Sequence, residues 1–147
     1  YDENAILLLV GSSNGDEERF LMIKSKIEQY HLEKKVLFLG LRKDTERLYQ
    51  AMDCLLMPSR FEGLSIVAIE AQVAGLPCVV SDRMTSETQI IENFYQLSLN
   101  LSPFDWAIKV LETKALTRKN ELHSIQRAGY DINTSSKSIT DFFLSNS

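Results

Sequence analysis

The sequence predicts an α/β fold, a Rossmann-like parallel sheet flanked by helices on both faces. Three observations carry this. Short, continuous apolar runs recur at Ala5–Val10, Val36–Leu39, Cys54–Met57 and Cys78–Val80. Runs of that length without polar alternation read as strands buried on both faces. Stretches with helical spacing separate them, and each run stops at a residue that breaks regular structure or opens a loop: Gly11, Gly40, Pro58 and Ser81. Strands alternating with helices call for a parallel sheet covered on both sides.

Each element has a local reason. After the first strand, Gly11–Gly15 reads as a turn, and Asp16–Tyr30 follows as a helix with Phe20, Ile23, Ile27 and Tyr30 on one face. Asp44 is placed to cap a short helix ending at Ala51, since its carboxylate accepts a first-turn N–H. Leu64–Ala74 is a helix apolar nearly all round, ended by Gly75-Leu76-Pro77. Beyond Asp82 the signal weakens. A short fifth strand is expected within Phe94–Leu101, then helices over Pro103–Thr113, Thr117–Tyr130 and Thr134–Phe143.

The totals restrict the function classes. At 147 residues the chain fits one domain, residues 1–147. Hydrophobic residues make up 44% and charged residues 24%, enough to bury a core. The net charge of −4 and the lack of a basic stripe argue against nucleic acid. No apolar run approaches the roughly 20 residues that span a bilayer. Cys54 and Cys78, each within an apolar run, read as buried thiols rather than a disulfide. No His or Cys cluster has metal-ligand spacing, so no metal is expected.

Open sheets of this kind bind ligands beyond the carboxyl ends of their strands. The loops there are Gly11–Gly15, Gly40–Lys43, Pro58–Leu64 and Ser81–Thr88. In the third of these, Gly63 is expected to let the chain turn sharply. The helix that follows, starting near Leu64 or Ser65, aims free N–H groups and its positive dipole end at the site, a suitable cradle for a diphosphate. Glu62 lies just outside that start and Glu70 about two turns in. Glu62 is equally well read as a carboxylate favoured by the helix dipole. Glu70 sits among Ile66, Val67, Ala68, Ile69, Ala71 and Val73. A carboxylate in such a helix, if buried, needs a partner. That partner is either a core Arg or Lys, or a ligand's hydroxyls, for which the adjacent pair of a ribose is suited.

Glu62 and Glu70, separated by seven residues, stand within Pro58-Ser59-Arg60-Phe61-Glu62-Gly63-Leu64, Glu70-Ala71 and Gly75-Leu76-Pro77-Cys78-Val79. This series resembles the paired-glutamate signature of the retaining glycosyltransferases called group 4, or group 1-like. Leu9-Val10-Gly11, Val36–Gly40 and Ala51-Met52-Asp53 extend the likeness over nearly the whole chain. The text from Val80 to Glu87, with Phe94–Leu99 and Trp106-Ala107, is similar to bacterial transferases of capsule and exopolysaccharide synthesis.

The resemblance implies the C-terminal, donor-binding half of a two-domain GT-B enzyme. Its substrate would be a nucleotide-diphosphate sugar, its acceptor a glycan or lipid-linked glycan held by a separate N-terminal domain. No cofactor is implied. Glu62 would act at the reacting centre of the sugar. Glu70 would bind ribose, and the N–H groups of Gly63, Leu64, Ser65 and Ile66 the diphosphate. Gly40, Leu41 and Arg42 would lie against the base, and Gly11 and Ser12 near the phosphates. Location would be cytoplasmic, at most peripheral to the inner membrane face. Ser65 departs from the family's usual Gly or Pro. The family's opening strand, Gly-Arg pair and following Lys have no counterpart in the sequence. In the order 3-2-1-4-5-6 that strand is central. The expectation is therefore a sheet without its first strand, closing differently or borrowing a strand by self-association, and inactive alone.

The bland readings stand beside these. His31 and His123 read as solvated, Trp106 as core packing, and Lys114, Arg118 and Lys119 as a solvated helix face. Arg42 and Asp44 suit a plain salt bridge as well as a phosphate contact. Arg60 and Arg83 are candidates for missing positive charge. Rival functions are a nucleotide-sugar 2-epimerase of the same fold and a non-catalytic nucleotide-sugar-binding module.

Overall fold

The computed structural model describes residues 2–13 and 15–145. Asn14, within the turn expected after the first strand, lies outside the described residues. The chain forms two compact units, one reaching to Thr45 and the other starting at Glu46.

In the first unit, β1 (Leu7–Val10) pairs in parallel with β2 (Val36–Gly40). Leu7 stands opposite Val36 and Leu9 opposite Phe38, with a register shift before Val10 meets Gly40. Helix α1 (Glu17–Gln29) makes the crossover. Asp16 caps it by accepting the Arg19 N–H at 2.9 Å, and Glu17 and Glu18 in the first turn suit the helix dipole. His31, at φ 53°, closes its C-terminus in the left-handed region. Phe20 of α1 meets Phe38 of β2 edge-on, with centroids 5.1 Å apart. The expected burial of the first strand on both faces is not found. Leu7, Val10, Leu37 and Phe38 are all exposed, and α1 contributes no buried residue. An apolar run establishes a strand, but not which neighbours cover it.

The second unit holds the core. Helix α2 (Thr45–Ala51) leads into β3 (Leu55–Met57), α3 (Ile66–Val73) and β4 (Cys78–Ser81). A 3-10 turn (Ser86–Thr88) and β5 (Phe94–Leu97) follow. Strands β3, β4 and β5 form a parallel sheet in that order, with Leu55 opposite Cys78 and Cys78 opposite Phe94. Every residue of β4 is buried, as a central strand with both faces covered requires. Ala68, Ala71, Leu76, Cys78, Val80, Met84 and Phe94 form the core with Tyr49. Burial pushes the Cys78 thiol well above its usual range and also raises that of Cys54. Both are free thiols, as expected.

The C-terminal part is helical. In α4 (Pro103–Thr113), Ser102 and Asp105 form a capping box and Pro103 opens the first turn. Trp106 is buried, with its Nε1–H donated to the Ser98 carbonyl at 3.2 Å. Helix α5 runs only over Leu122–Arg127, and α6 over Ile132–Ser145. The sequence had suggested one helix over Thr117–Tyr130. Residues 117–121 are not helical because Arg118 and Lys119 turn to partners elsewhere, and Gly129, at φ 82°, stops the helix.

Among the described residues the strands thus form two sheets, β1-β2 and β3-β4-β5. Counted as the second to sixth strands of the order 3-2-1-4-5-6, they reproduce the pairings 3-2 and 4-5-6.

Candidate functional site

In the second unit the loop from β3 to α3 runs beside the loop after β4. Glu62 and Met84 form a parallel bridge. The Ser81 hydroxyl donates to the Ser59 carbonyl at 2.5 Å, and the same oxygen accepts the Arg83 N–H at 3.3 Å. Gln96 anchors the far side by donating to the Met84 carbonyl at 2.9 Å. Glu62 is therefore a half-buried side chain on a loop held along its length, while Arg60 and Arg83 are exposed. Arg83 lies 3.6 Å from Asp82, in an exposed ion pair.

Helix α3 starts one to two residues later than the sequence suggested. Ser65 is its cap: it has extended φ and ψ, is 2% exposed, and its hydroxyl accepts the Ala68 N–H at 3.4 Å. The departure from the family's Gly or Pro at this position thus has a local reason. A serine satisfies one first-turn donor that neither alternative would reach. The first-turn N–H groups of Ile66 and Val67 have no acceptor within the helix. Gly63, expected to make a sharp turn, does not adopt a positive φ, and a Cβ placed there meets nothing within 4 Å. Glycine at 63 leaves open space ahead of the helix start rather than enabling a turn.

Glu70 corrects a premise. The helix is not apolar on all sides of a buried carboxylate. Ala68, Ile69, Ala71 and Gln72 face the core, while Ile66, Val67, Glu70 and Val73 form an exposed stripe. Among the described residues the partner of Glu70 is neither Arg nor Lys. The buried Tyr49 donates its hydroxyl to Glu70 Oε2 at 3.0 Å. Burial, then the bond to Glu70, pushes the Tyr49 phenol from 10.0 up to about 12. The Tyr49 carbonyl in turn accepts from Arg118 Nη1 at 2.9 Å. Arg118 is therefore not part of a solvated basic face, and Lys119 reaches Glu92 at 3.3 Å.

The first unit brings together its own expected residues. Gly11 N–H donates to the Gly40 carbonyl at 2.9 Å, joining the loops that follow β1 and β2. Gly40, at φ 63°, takes a conformation that favours glycine. Leu41 is 80% exposed, a large apolar side chain without cover. The Arg42 guanidinium makes a two-pronged pair with Asp44, at 2.8 and 2.7 Å, which raises its pKa. The salt bridge read for Arg42 is present. Ser12 is exposed on the same loop as Gly11.

One residue was missed altogether. Gln72, fully buried, donates Nε2–H to the carbonyls of Ala68 and Thr88 at 3.0 and 2.8 Å. Its Oε1 accepts the N–H groups of Ile90 and Ile91 at 2.8 and 3.2 Å. It fastens α3 to the segment after the 3-10 turn. The available signal was an amide inside an otherwise apolar helix, the same signal that drew attention to Glu70. Among the described residues no three His, Cys, Asp or Glu side chains are grouped to hold a metal, and no helix is long and apolar enough to cross a membrane.

Comparison with known proteins identifies the family. The model described as Glycosyl transferases group 1 matches residues 1–124. EpsF of Bacillus subtilis, which bears a glycosyltransferase's name, is 34% identical over 113 residues, covering 74% of this chain and 29% of EpsF. The Escherichia coli UDP-Gal:alpha-D-GlcNAc-diphosphoundecaprenol alpha-1,3-galactosyltransferase is 33% identical over 81 residues, 55% of this chain and 21% of that one. The chain thus spans less than a third of the length of these curated relatives. The solved structure of Anabaena Alr3699/HepE in complex with UDP superposes with a TM-score of 0.79 at 23% identity, over 98% of this chain and 42% of that one. At that identity the likeness is one of fold. With the family model matched over residues 1–124, most of the chain, the chain belongs to the group 1 glycosyltransferases.

Proposed function

We propose that this chain is the donor-binding half of a retaining glycosyltransferase that moves a sugar from a nucleotide diphosphate to a glycan or lipid-linked acceptor in bacterial surface polysaccharide synthesis. The observation that carries the proposal is the start of α3. It has first-turn N–H groups without helical acceptors, open space at Gly63, a held loop bearing Glu62, and Glu70 on an exposed face. A helix start of this kind suits a diphosphate. The relative named for UDP-Gal and a diphosphoundecaprenol acceptor, and the HepE structure holding UDP, support a uridine nucleotide and a lipid-linked acceptor.

The assigned roles follow. The N–H groups of Gly63, Leu64, Ser65 and Ile66 hold the diphosphate, with Ala68 N–H already taken by Ser65. Glu70 accepts from the ribose hydroxyls. Glu62 contacts the sugar near its anomeric carbon, where positive charge develops as the bond to the diphosphate oxygen lengthens. The acceptor oxygen bonds to that carbon on the same face, and its proton leaves with the diphosphate. Catalysis is electrostatic and needs no metal. In the first unit, Gly11, Ser12, Gly40, Leu41 and Arg42 are proposed to line a nucleotide-facing surface, Arg42 with its Asp44 partner.

Profiling UDP, GDP and ADP sugars on the protein that carries this chain, with the product anomer read by NMR, tests the reading. Transfer from one donor class with the anomeric configuration kept supports it. Inversion of that configuration contradicts the retaining assignment.

A further inference from the structure

The geometry points to Tyr49 as the positioning residue that orients the Glu70 carboxylate for a ribose diol. The inference rests on the reading of Glu70 given above and adds a second residue to that site. Tyr49 is fixed at both ends. Its ring lies in the core with Ala68, Ala71 and Cys78, and its carbonyl is held by Arg118. Its hydroxyl, delivered from α2, reaches Glu70 Oε2 at 3.0 Å across 21 residues of sequence. Glu70 itself is on the exposed stripe of α3, where a long side chain has rotamer freedom to lose. One hydrogen bond from a buried, immobile donor selects a carboxylate orientation before any ligand arrives.

The stereochemistry suits a diol. An ionised carboxylate has about four acceptor positions, and Tyr49 uses one. Among the described residues Oε1 has no hydrogen bond. Both oxygens therefore keep room to accept from adjacent hydroxyls. Ionising the phenol would put two negative charges 3.0 Å apart, in keeping with its raised pKa. The bland alternative is that Tyr49 is a core aromatic whose hydroxyl merely finds a surface acceptor.

The experiment compares nucleoside diphosphates with and without ribose hydroxyls. Calorimetric affinities of UDP, GDP and ADP, and of their 2′,3′-dideoxy forms, are measured on the protein that carries this chain and on its Tyr49→Phe and Glu70→Gln variants. Tyr49→Phe is expected to weaken the best-bound ribonucleotide about threefold to tenfold, the worth of one hydrogen bond, and to leave its dideoxy form unchanged. A purely structural role would shift both equally or neither, and overturns the inference. Glu70→Gln separates the two readings. If it fails to narrow the ribose-to-dideoxy difference, or if no nucleotide binds, the underlying ribose assignment is wrong. If it narrows the difference while Tyr49→Phe does not, only the positioning role falls. Should Tyr49→Phe not fold, 3,5-difluorotyrosine at 49 keeps the ring. Its more acidic phenol should then lose ribonucleotide affinity, but not dideoxy affinity, as pH rises through its ionisation. Equal pH dependence for the two ligands contradicts the inference.

Discussion

Gln72 and Thr88 are joined by a buried hydrogen bond of 2.8 Å, from the side-chain amide of the one to the backbone carbonyl of the other. With the bonds to Ala68, Ile90 and Ile91, it saturates an amide that has no access to water. The contact fixes α3, and hence the helix start proposed to hold the diphosphate, against the segment following the β4 loop. Gln72→Met is expected to fill the space yet leave the Thr88 carbonyl and two N–H groups unpaired. The cost should be about 2–4 kcal/mol in denaturant unfolding. A loss under 1 kcal/mol would mean that water replaces the amide.

Gly63 and Gly75 make a contrast that separates stability from binding. A Cβ at Gly75 would lie 2.6 Å from the Lys119 carbonyl oxygen, on a backbone at φ 65°. Gly75→Ala should destabilise by at least about 1–2 kcal/mol, because neither the conformation nor the neighbouring backbone yields cheaply. Gly63→Ala meets no atom within 4 Å and no unfavourable φ. It should unfold at the same Tm as the parent and bind the nucleotide diphosphate less tightly, since the methyl enters the space proposed for the diphosphate. Equal affinity would remove Gly63 from the site.

Ser65 offers a second test of the helix start. Ser65→Ala removes the acceptor of the Ala68 N–H and should cost about 1 kcal/mol. Ser65→Thr, which keeps the oxygen, should cost less. Equal losses for the two would show that burial of the small side chain, not capping, decides the position.

The Tyr49 phenol predicts a pH effect. Its pKa is raised from 10.0 to about 12 on folding, so the folded state holds the proton more tightly. The stability this contributes is complete below pH 10 and is lost as pH rises through about 12. In an ultraviolet titration of tyrosinate, one of the five tyrosines should ionise late, and Tyr49→Phe should delete that step. Ionisation of all tyrosines together near pH 10 while the protein remains folded would contradict it.

Much of the fold was legible because local rules and tertiary packing agree. The apolar runs became strands, and α4 formed over the expected Pro103–Thr113, with Ser102 and Asp105 as its capping box. The parallel pairing within β1-β2 and within β3-β4-β5 is what strands alternating with helices predict. What failed depended on neighbours. An apolar helix reads the same whether Ile66, Val67 and Val73 are covered or bare, so the burial of Glu70 was misjudged. Its true partner, Tyr49, lies 21 residues away on another helix. Arg42 and Asp44, two residues apart, were legible for the opposite reason. The halt before α5 was not, since it depends on Arg118 reaching the end of α2.

The central claim is that this chain binds a nucleotide-sugar donor through the pair of glutamates flanking the start of α3. The most direct measurement is calorimetric titration of UDP, GDP and ADP sugars into the protein that carries this chain and into its Glu70→Ala variant. The account predicts saturable binding of one nucleotide class, weakened about tenfold or more by Glu70→Ala, as expected when hydrogen bonds to a charged group are lost. Unchanged affinity in Glu70→Ala would contradict it.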